Sequence, residues 1–99
     1  MSDFENLVRK EARFIILRRL IDEPSFSLID SLLHQSLDAS GINRSRDWVR
    51  AEMRYLEQIG AVKITQVGNN IIATLEERGR DHVERRTVLD GVKRPSPGV

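Results

Sequence analysis

The hydrophobic pattern of the chain changes its period at Gly60, and this change constrains the fold more than any other sequence feature. Before Gly60, apolar residues recur every three or four positions, which is the spacing of helices with one buried face. After it, residues 61–67 (AVKITQV) and 71–75 (IIATL) are rich in β-branched residues and flank the turn signal GNN at 68–70. These two runs predict a β-hairpin.

Helical periodicity predicts three helices before the hairpin and a weaker one after it. In chain order they cover residues 3–22, 25–41, 45–59 and 76–91. Asp3 and Ser27 are the predicted N-caps of the first two helices, and Ser45 or Asn43 that of the third. Gly79 weakens the last helix. Two prolines in residues 92–99 predict a flexible C-terminal tail, which leaves residues 1–91 as the folded domain.

Length and composition exclude several classes of protein. A chain of 99 residues suits one domain, and the absence of cysteine rules out disulfides and thiolate metal sites. No apolar run approaches the roughly 20 residues of a membrane span, and the N-terminus lacks the features of a signal peptide. We therefore expect a cytoplasmic protein. The net charge of +1 means that nucleic-acid binding can be argued only from where the charges lie.

The predicted order of elements is helix, helix, short glycine turn, helix, hairpin, helix. This order is typical of the winged helix-turn-helix, an α+β fold that is mainly helical. In that fold the third helix is the recognition helix, and the hairpin is the wing. A flexible tail would follow the last helix.

The residues around the hairpin also resemble a known family. The stretch VRAEMRYLEQIGAVKI (49–64), the turn, and IIATLEERGRDHV (71–83) look like small winged-helix regulators of the MarR, ArsR and PadR type. Those proteins often enter the last helix with Thr-Leu-Thr followed by Gly-Arg, whereas this chain has Glu76 at the second threonine. The whole chain, including GVKRP at 91–95, more closely resembles small winged-helix proteins of Mu-like prophages. The resemblance implies the fold and a phage or prophage setting.

A helical projection of residues 45–59 predicts one face suited to DNA. Val49, Met53 and Leu56 fall on a buried side, whereas arginines four positions apart share the opposite side. Arginine can pair with guanine, and glutamine with adenine, in the major groove. The predicted DNA-binding residues are Asn43, Arg44, Ser45, Arg46, Arg50, Arg54 and Gln58. The predicted wing consists of Gly68, Asn69 and Asn70.

An ordinary solvated helix is the competing interpretation of this face. Asp47 and Glu57 could pair with the arginines at helical spacing. The GNN turn carries no charge, so it adds no counterion release on DNA, and it could be purely structural. Whether the two acids engage the arginines is left open by the sequence.

The remaining candidates favour structural roles. We expect His34 and His82 to be ordinary helix residues, and Glu52 to pair with an arginine of the first helix. Trp48 is expected in the core or at an interface, with base stacking as the minor alternative. No catalytic motif, metal site or cofactor site is predicted, so we do not expect an enzyme.

The predicted partner is double-stranded DNA, and the predicted role is transcriptional regulation in a phage or prophage. The alternative is a phage protein–protein interaction module, used in packaging or assembly, and a purely structural subunit is a third interpretation. Phe4, Leu7 and Val8 give the first helix more apolar surface than it needs. That surface belongs either to the core or to a homodimer interface. No membrane association is expected.

Overall fold

The computed structural model describes residues 2–97. Within them the chain folds into an α+β structure of four helices and one three-stranded antiparallel sheet, in which helix predominates. The elements in chain order are α1 (Asp3–Ile21), β1 (Ser27–Ile29), α2 (Asp30–Ala39), α3 (Arg46–Gln58), β2 (Val62–Val67), β3 (Asn70–Leu75) and α4 (Glu77–Val83). The strand order is β1-β3-β2, so the last strand in sequence is central.

The N-cap of helix α1 lies one residue before the predicted one. The side chain of Ser2, not Asp3, accepts a hydrogen bond from the Glu5 amide at 3.1 Å. The second half of α1 contributes four residues to the core, namely Ala12, Ile16, Leu17 and Leu20. Its first half is different, because Phe4 and Leu7 remain exposed. Phe4 and Leu7 are therefore not part of the core, whereas Val8 is partly buried and packs against it.

The predicted start of the second helix is wrong. Ser27 is not an N-cap; it begins β1, which pairs antiparallel with β3 from Ser27 opposite Thr74 to Ile29 opposite Ile72. Phe26 has a φ of 57°, so the backbone turns sharply here before it enters the sheet. Helix α2 starts only at Asp30, and its buried face is formed by Leu33 and Leu37.

Helix α3 confirms the predicted third helix almost to the residue. Ser45 caps it, and its Oγ accepts a hydrogen bond from the Trp48 amide at 3.1 Å. Val49, Met53 and Leu56 face the core, as the helical projection predicts. One side of α3 is thereby fixed against the core, and the other side is turned outward.

The hairpin is confirmed, with a tighter turn than the sequence suggested. Strands β2 and β3 pair from Val62 opposite Leu75 to Val67 opposite Asn70. The turn consequently contains only Gly68 and Asn69, because Asn70 is the first residue of β3. Gly68 has a φ of 59°, a conformation that glycine adopts without steric cost in a two-residue hairpin turn.

The predicted last helix is too long. Helix α4 ends at Val83, and Arg85, with a φ of 65°, redirects the chain. The irregular segment that follows still packs on the domain, since Leu89 and Val92 are buried in the core. The backbone amide of Lys93 also donates to the carbonyl of Lys10 at 3.1 Å.

The predicted boundary between domain and tail falls within this packed segment. Residues 92 and 93, which the sequence assigns to the tail, pack on the domain through the buried Val92 and the Lys93 backbone. Residues 98 and 99 of the predicted tail lie outside the described residues. Within residues 2–97, each helix is too short or too polar to cross a lipid bilayer.

Candidate functional site

The outward side of α3 carries Arg46, Arg50 and Arg54, which we call the arginine face. Arg46 and Arg54 are exposed, while Arg50 is half-buried. Ala51, between them, is exposed and leaves the helix surface open. Gln58, one turn beyond Arg54, is exposed as well. The four predicted DNA-binding residues of α3, which are the three arginines and Gln58, therefore lie on its outward side.

Asp30, the first residue of α2, organises two of these arginines. Its side chain is fully buried, with an exposure of 0%. Arg50 Nε donates to Asp30 Oδ2 at 2.5 Å, and Arg46 Nη2 lies 3.5 Å from Asp30 Oδ1. The Ser31 amide donates to Oδ1 at 2.9 Å. This buried carboxylate was not predicted as a site residue.

The same two arginines also contact the hairpin turn. Arg46 Nη2 donates to Asn70 Oδ1 at 2.7 Å, and Arg50 Nη2 donates to the carbonyl oxygen of Asn69 at 2.7 Å. The start of α2, the outer side of α3 and the hairpin turn are thus joined through two guanidinium groups. Arg46, Arg50, Asp30, Asn69 and Asn70 form what we call the Asp30 cluster.

The electrostatics of the cluster favour an ionised carboxylate. Burial raises the pKa of Asp30, but the hydrogen bond and charge of Arg50, the charge of Arg46 and the Ser31 amide outweigh that effect. The pKa of Asp30 therefore lies below its ordinary value. Because one carboxylate faces two guanidinium groups, these three side chains together carry one positive charge. Arg46 has a side-chain exposure of 46% and keeps much of its surface open to solvent.

The two acids that could have neutralised the arginine face take a minor part in it. Asp47 Oδ1 lies 4.0 Å from Arg50 Nη1, and the Asp47 side chain is almost fully exposed. Glu57 instead accepts a hydrogen bond from the Ile64 amide at 3.2 Å. Among residues 2–97, no carboxylate lies within ion-pair distance of Arg54.

The residues before α3 separate into two groups. Asn43 and Ser45 are exposed beside the start of the helix, where amide groups point outward. Arg44 turns away toward α1, and its Nη2 donates to Glu5 Oε1 at 3.0 Å. Trp48 Nε1 donates to the other oxygen of Glu5 at 3.1 Å. The Arg44 hydrogen bond is the main cause of a lowered pKa of Glu5, with Trp48 and Arg9 adding to it.

Glu52 confirms the prediction that it pairs with arginines of the first helix. Its side chain is buried on the inner side of α3. Arg9 Nη1 donates to one carboxylate oxygen at 2.5 Å, and Arg13 Nε donates to the other at 2.7 Å. Arg13 also donates to the carbonyl of Gly91 at 2.8 Å. This ion-pair network fixes α3 on α1 and is separate from the arginine face.

The comparisons with known proteins identify a relative of nearly equal length. No model of a known protein family matches the chain, and no solved structure matches it significantly. The chain is 36% identical over 92 residues to the uncharacterized protein gp26 of Escherichia phage Mu, over 93% of this chain and 95% of the phage protein. It is 28% identical over 76 residues to an uncharacterized protein of Haemophilus influenzae, over 76% of this chain and 74% of that protein. The chain therefore belongs to the same family as the phage Mu protein gp26.

Proposed function

We propose that this protein is a winged helix-turn-helix protein that binds double-stranded DNA and regulates phage or prophage transcription. In this proposal α3 is the recognition helix and the β2–β3 hairpin is the wing. The order α1, β1, α2, α3, β2, β3, α4 supports the fold, since two helices, a third helix and a hairpin follow one another as this architecture requires. Membership in the same family as a phage Mu protein supports a phage or prophage origin.

The observation that carries the proposal is the shared position of the arginine face and the hairpin turn. Hydrogen bonds from Arg46 and Arg50 hold Asn69 and Asn70 beside the outer side of α3. A duplex that meets α3 in its major groove would then also meet the turn. One approach would bring both elements to the DNA, which is how a recognition helix and a wing act together.

The three arginines have different roles in this proposal. Arg54 and Gln58 are exposed and are the best placed for base edges in the major groove. Arg46 and the helix start at Asn43 and Ser45 suit phosphates, because backbone amides there favour an anion. Arg50, bound to Asp30 and Asn69, positions the hairpin and adds charge. Arg44 points to Glu5, so it contributes to DNA binding only through its general charge.

The test replaces Arg54 or Arg46 by alanine and measures duplex affinity across a series of salt concentrations. Each phosphate contact that is lost should reduce the slope of log affinity against log salt concentration by about one unit. A lost base contact should weaken binding by about 1–3 kcal/mol, and only on the preferred sequence. Arg18→Ala is the matched control, because Arg18 is an exposed arginine of α1, paired with Asp22.

Two results would contradict the proposal, the first by excluding DNA binding and the second by excluding a specific role for the arginine face. The first is a wild-type protein that shows no salt-dependent affinity for any duplex. The second is an equal loss of affinity in Arg54→Ala and in the Arg18→Ala control, since that would reflect total charge alone.

A protein–protein interaction module in phage packaging or assembly is the second candidate. The uncharged hairpin turn and the exposed Phe4 and Leu7 favour it. In that case, wild-type protein should bind a purified phage protein while it fails to bind duplex DNA even at low salt. A wild-type protein that binds duplex DNA and no phage partner would exclude this candidate.

A further inference from the structure

Phe4 and Leu7, in the first two turns of α1, have the highest fractional exposure among the large apolar side chains of residues 2–97. Phe4 is 69% exposed and Leu7 is 62% exposed, and the two lie three residues apart on one side of the helix. Neither side chain takes part in the core. Such a pair on a small domain is typical of an interaction surface.

A groove lies directly beside this pair. Besides Phe4 and Leu7, Val8, Glu11 and Ile15 of α1 line one side of the groove, and Ser40, Gly41 and Ile42 after α2 line the other. The Glu11 carboxylate is paired with Lys93 at 3.0 Å. The groove has a volume of about 540 Å³, which is ample for an inserted aromatic side chain. Two exposed apolar side chains and a groove of mixed polar and apolar lining thus occupy the same face. A surface of this kind can bind a second copy of itself, with each copy inserting residues into the other.

The charges beside the groove fit the same arrangement. Asp3 and Lys10 are both exposed and seven residues apart, so they lie on the same flank of α1, next to Leu7. Within residues 2–97, neither side chain has an ion-pair partner. In an antiparallel pair of α1 helices with a two-fold axis near Leu7, Asp3 of each copy would face Lys10 of the other. The charges on this flank are therefore complementary to those of a second copy when the two α1 helices run antiparallel.

We propose that the protein forms a symmetric homodimer in which the α1 helices of two copies pair antiparallel. Phe4 of each copy enters the groove of the other, and Leu7 lies at the two-fold axis. The two Asp3–Lys10 pairs set the orientation and the register. This inference does not rest on DNA binding, because α1 and residues 40–42 supply the contacts and the arginine face remains outside them.

The first experiment measures solution mass by sedimentation equilibrium over a concentration series. Wild type should show a monomer–dimer equilibrium, and Leu7→Glu should remain monomeric, because four carboxylates would then lie close to the axis with Asp3. Val88→Glu is the matched control, since Val88 is 57% exposed and lies outside α1. A monomeric wild type, or equal dissociation of both variants, would overturn the proposal.

The second experiment exchanges the two charges. Asp3→Lys and Lys10→Asp should each weaken dimerisation about tenfold, since each replaces two attractive pairs with two repulsive ones. The double variant restores both pairs and should return to within about threefold of wild type. Circular dichroism checks that each variant keeps its helices, because Asp3 also favours the N-terminus of α1 electrostatically.

The charge exchange distinguishes this dimer from other forms of association. A double variant no better than the single variants would exclude the antiparallel register. A trimer or larger assembly would exclude the two-fold arrangement. DNA affinity is measured separately, so a dimer without DNA binding would leave this inference intact and contradict only the proposed function.

Discussion

Asp30 shows how much of the candidate site depends on a single buried residue. Its carboxylate binds two arginines of α3, and those arginines bind the hairpin turn. The sequence shows Asp30 only as one acid among many. Its burial follows from β1, which brings the start of α2 against α3. The arginines could thus be predicted as a group, whereas the partner that arranges them could not.

Replacing Asp30 by asparagine should destabilise the protein at neutral pH. It should also reduce the loss of stability that occurs as the pH falls. The pKa of Asp30 is lowered in the folded state from 3.8, so its stabilising effect is present above about pH 4 and is lost as the pH falls through the folded value. We expect Asp30→Asn to lower the free energy of unfolding at pH 7 by about 2 kcal/mol. This is less than a fully buried pair would lose, because the arginines are partly exposed.

Urea unfolding between pH 2 and pH 7 measures both effects. The acid-dependent loss of stability should become smaller in Asp30→Asn, but not vanish, because the pKa of Glu5 is also lowered. Asp47→Asn is the control, as its exposed carboxylate lies beside the same Arg50 and should contribute less than about 0.5 kcal/mol. An unchanged pH profile in Asp30→Asn would contradict the role of the cluster.

At the scale of elements, local signals in the sequence specify α3 and the hairpin, but not β1. Helix α3 has a capping serine, a regular apolar stripe and a terminal glycine, and it was predicted almost to the residue. The hairpin has β-branched strands around a glycine turn and was also found. Strand β1 has only three residues and is stabilised by pairing with β3, far away in sequence. No local pattern could distinguish it from the first turn of a helix.

Gly79 lies in α4 at a point where the backbone of Ala61 passes close to the helix, so that no side chain fits there. A Cβ atom at this position would collide with the carbonyl oxygen of Ala61 and lie 2.8 Å from Leu75 Cδ1. Alanine improves helix propensity by about 1 kcal/mol, but overpacking against a backbone atom costs about 1–3 kcal/mol. We therefore expect Gly79→Ala to lower the free energy of unfolding by about 1 kcal/mol.

Thermal and urea denaturation test this expectation. Glu77→Ala, at an exposed position of the same helix, is the control and should leave stability nearly unchanged. A Gly79→Ala variant more stable than wild type would show that α4 can move away from Ala61. In that event, the packing of α4 would be looser than the structure indicates.

At the scale of the whole molecule, the segment after α4 completes the domain. His82 is fully buried, its Nδ1 accepts from the Leu89 amide at 3.0 Å, and its Nε2 donates to the Lys93 carbonyl at 2.8 Å. Leu89 and Val92 close the core. His82 of α4 thereby connects two points of the irregular segment, Leu89 and Lys93, to the helix.

Two truncated chains test where the domain ends. A chain that stops at Gly91 loses the buried Val92 side chain and both backbone hydrogen bonds of Lys93, whereas a chain that stops at Lys93 keeps them. We expect the shorter chain to be less stable by about 3 kcal/mol, from the lost apolar burial and the two hydrogen bonds. Equal stabilities in urea unfolding would place the end of the domain at residue 91, as the sequence predicted.

The sequence by itself determined the features whose signals are local: α1, α3, the hairpin and the buried side of α3. These follow from periodicity, caps and turn residues, which act over a few positions. Only the tertiary structure decided what depends on distant neighbours. It added β1 to the sheet, ended α4 at Val83 and brought Asp30 to the arginine face. It also left Phe4 and Leu7 outside the core, because burial depends on which surfaces the folded elements leave uncovered.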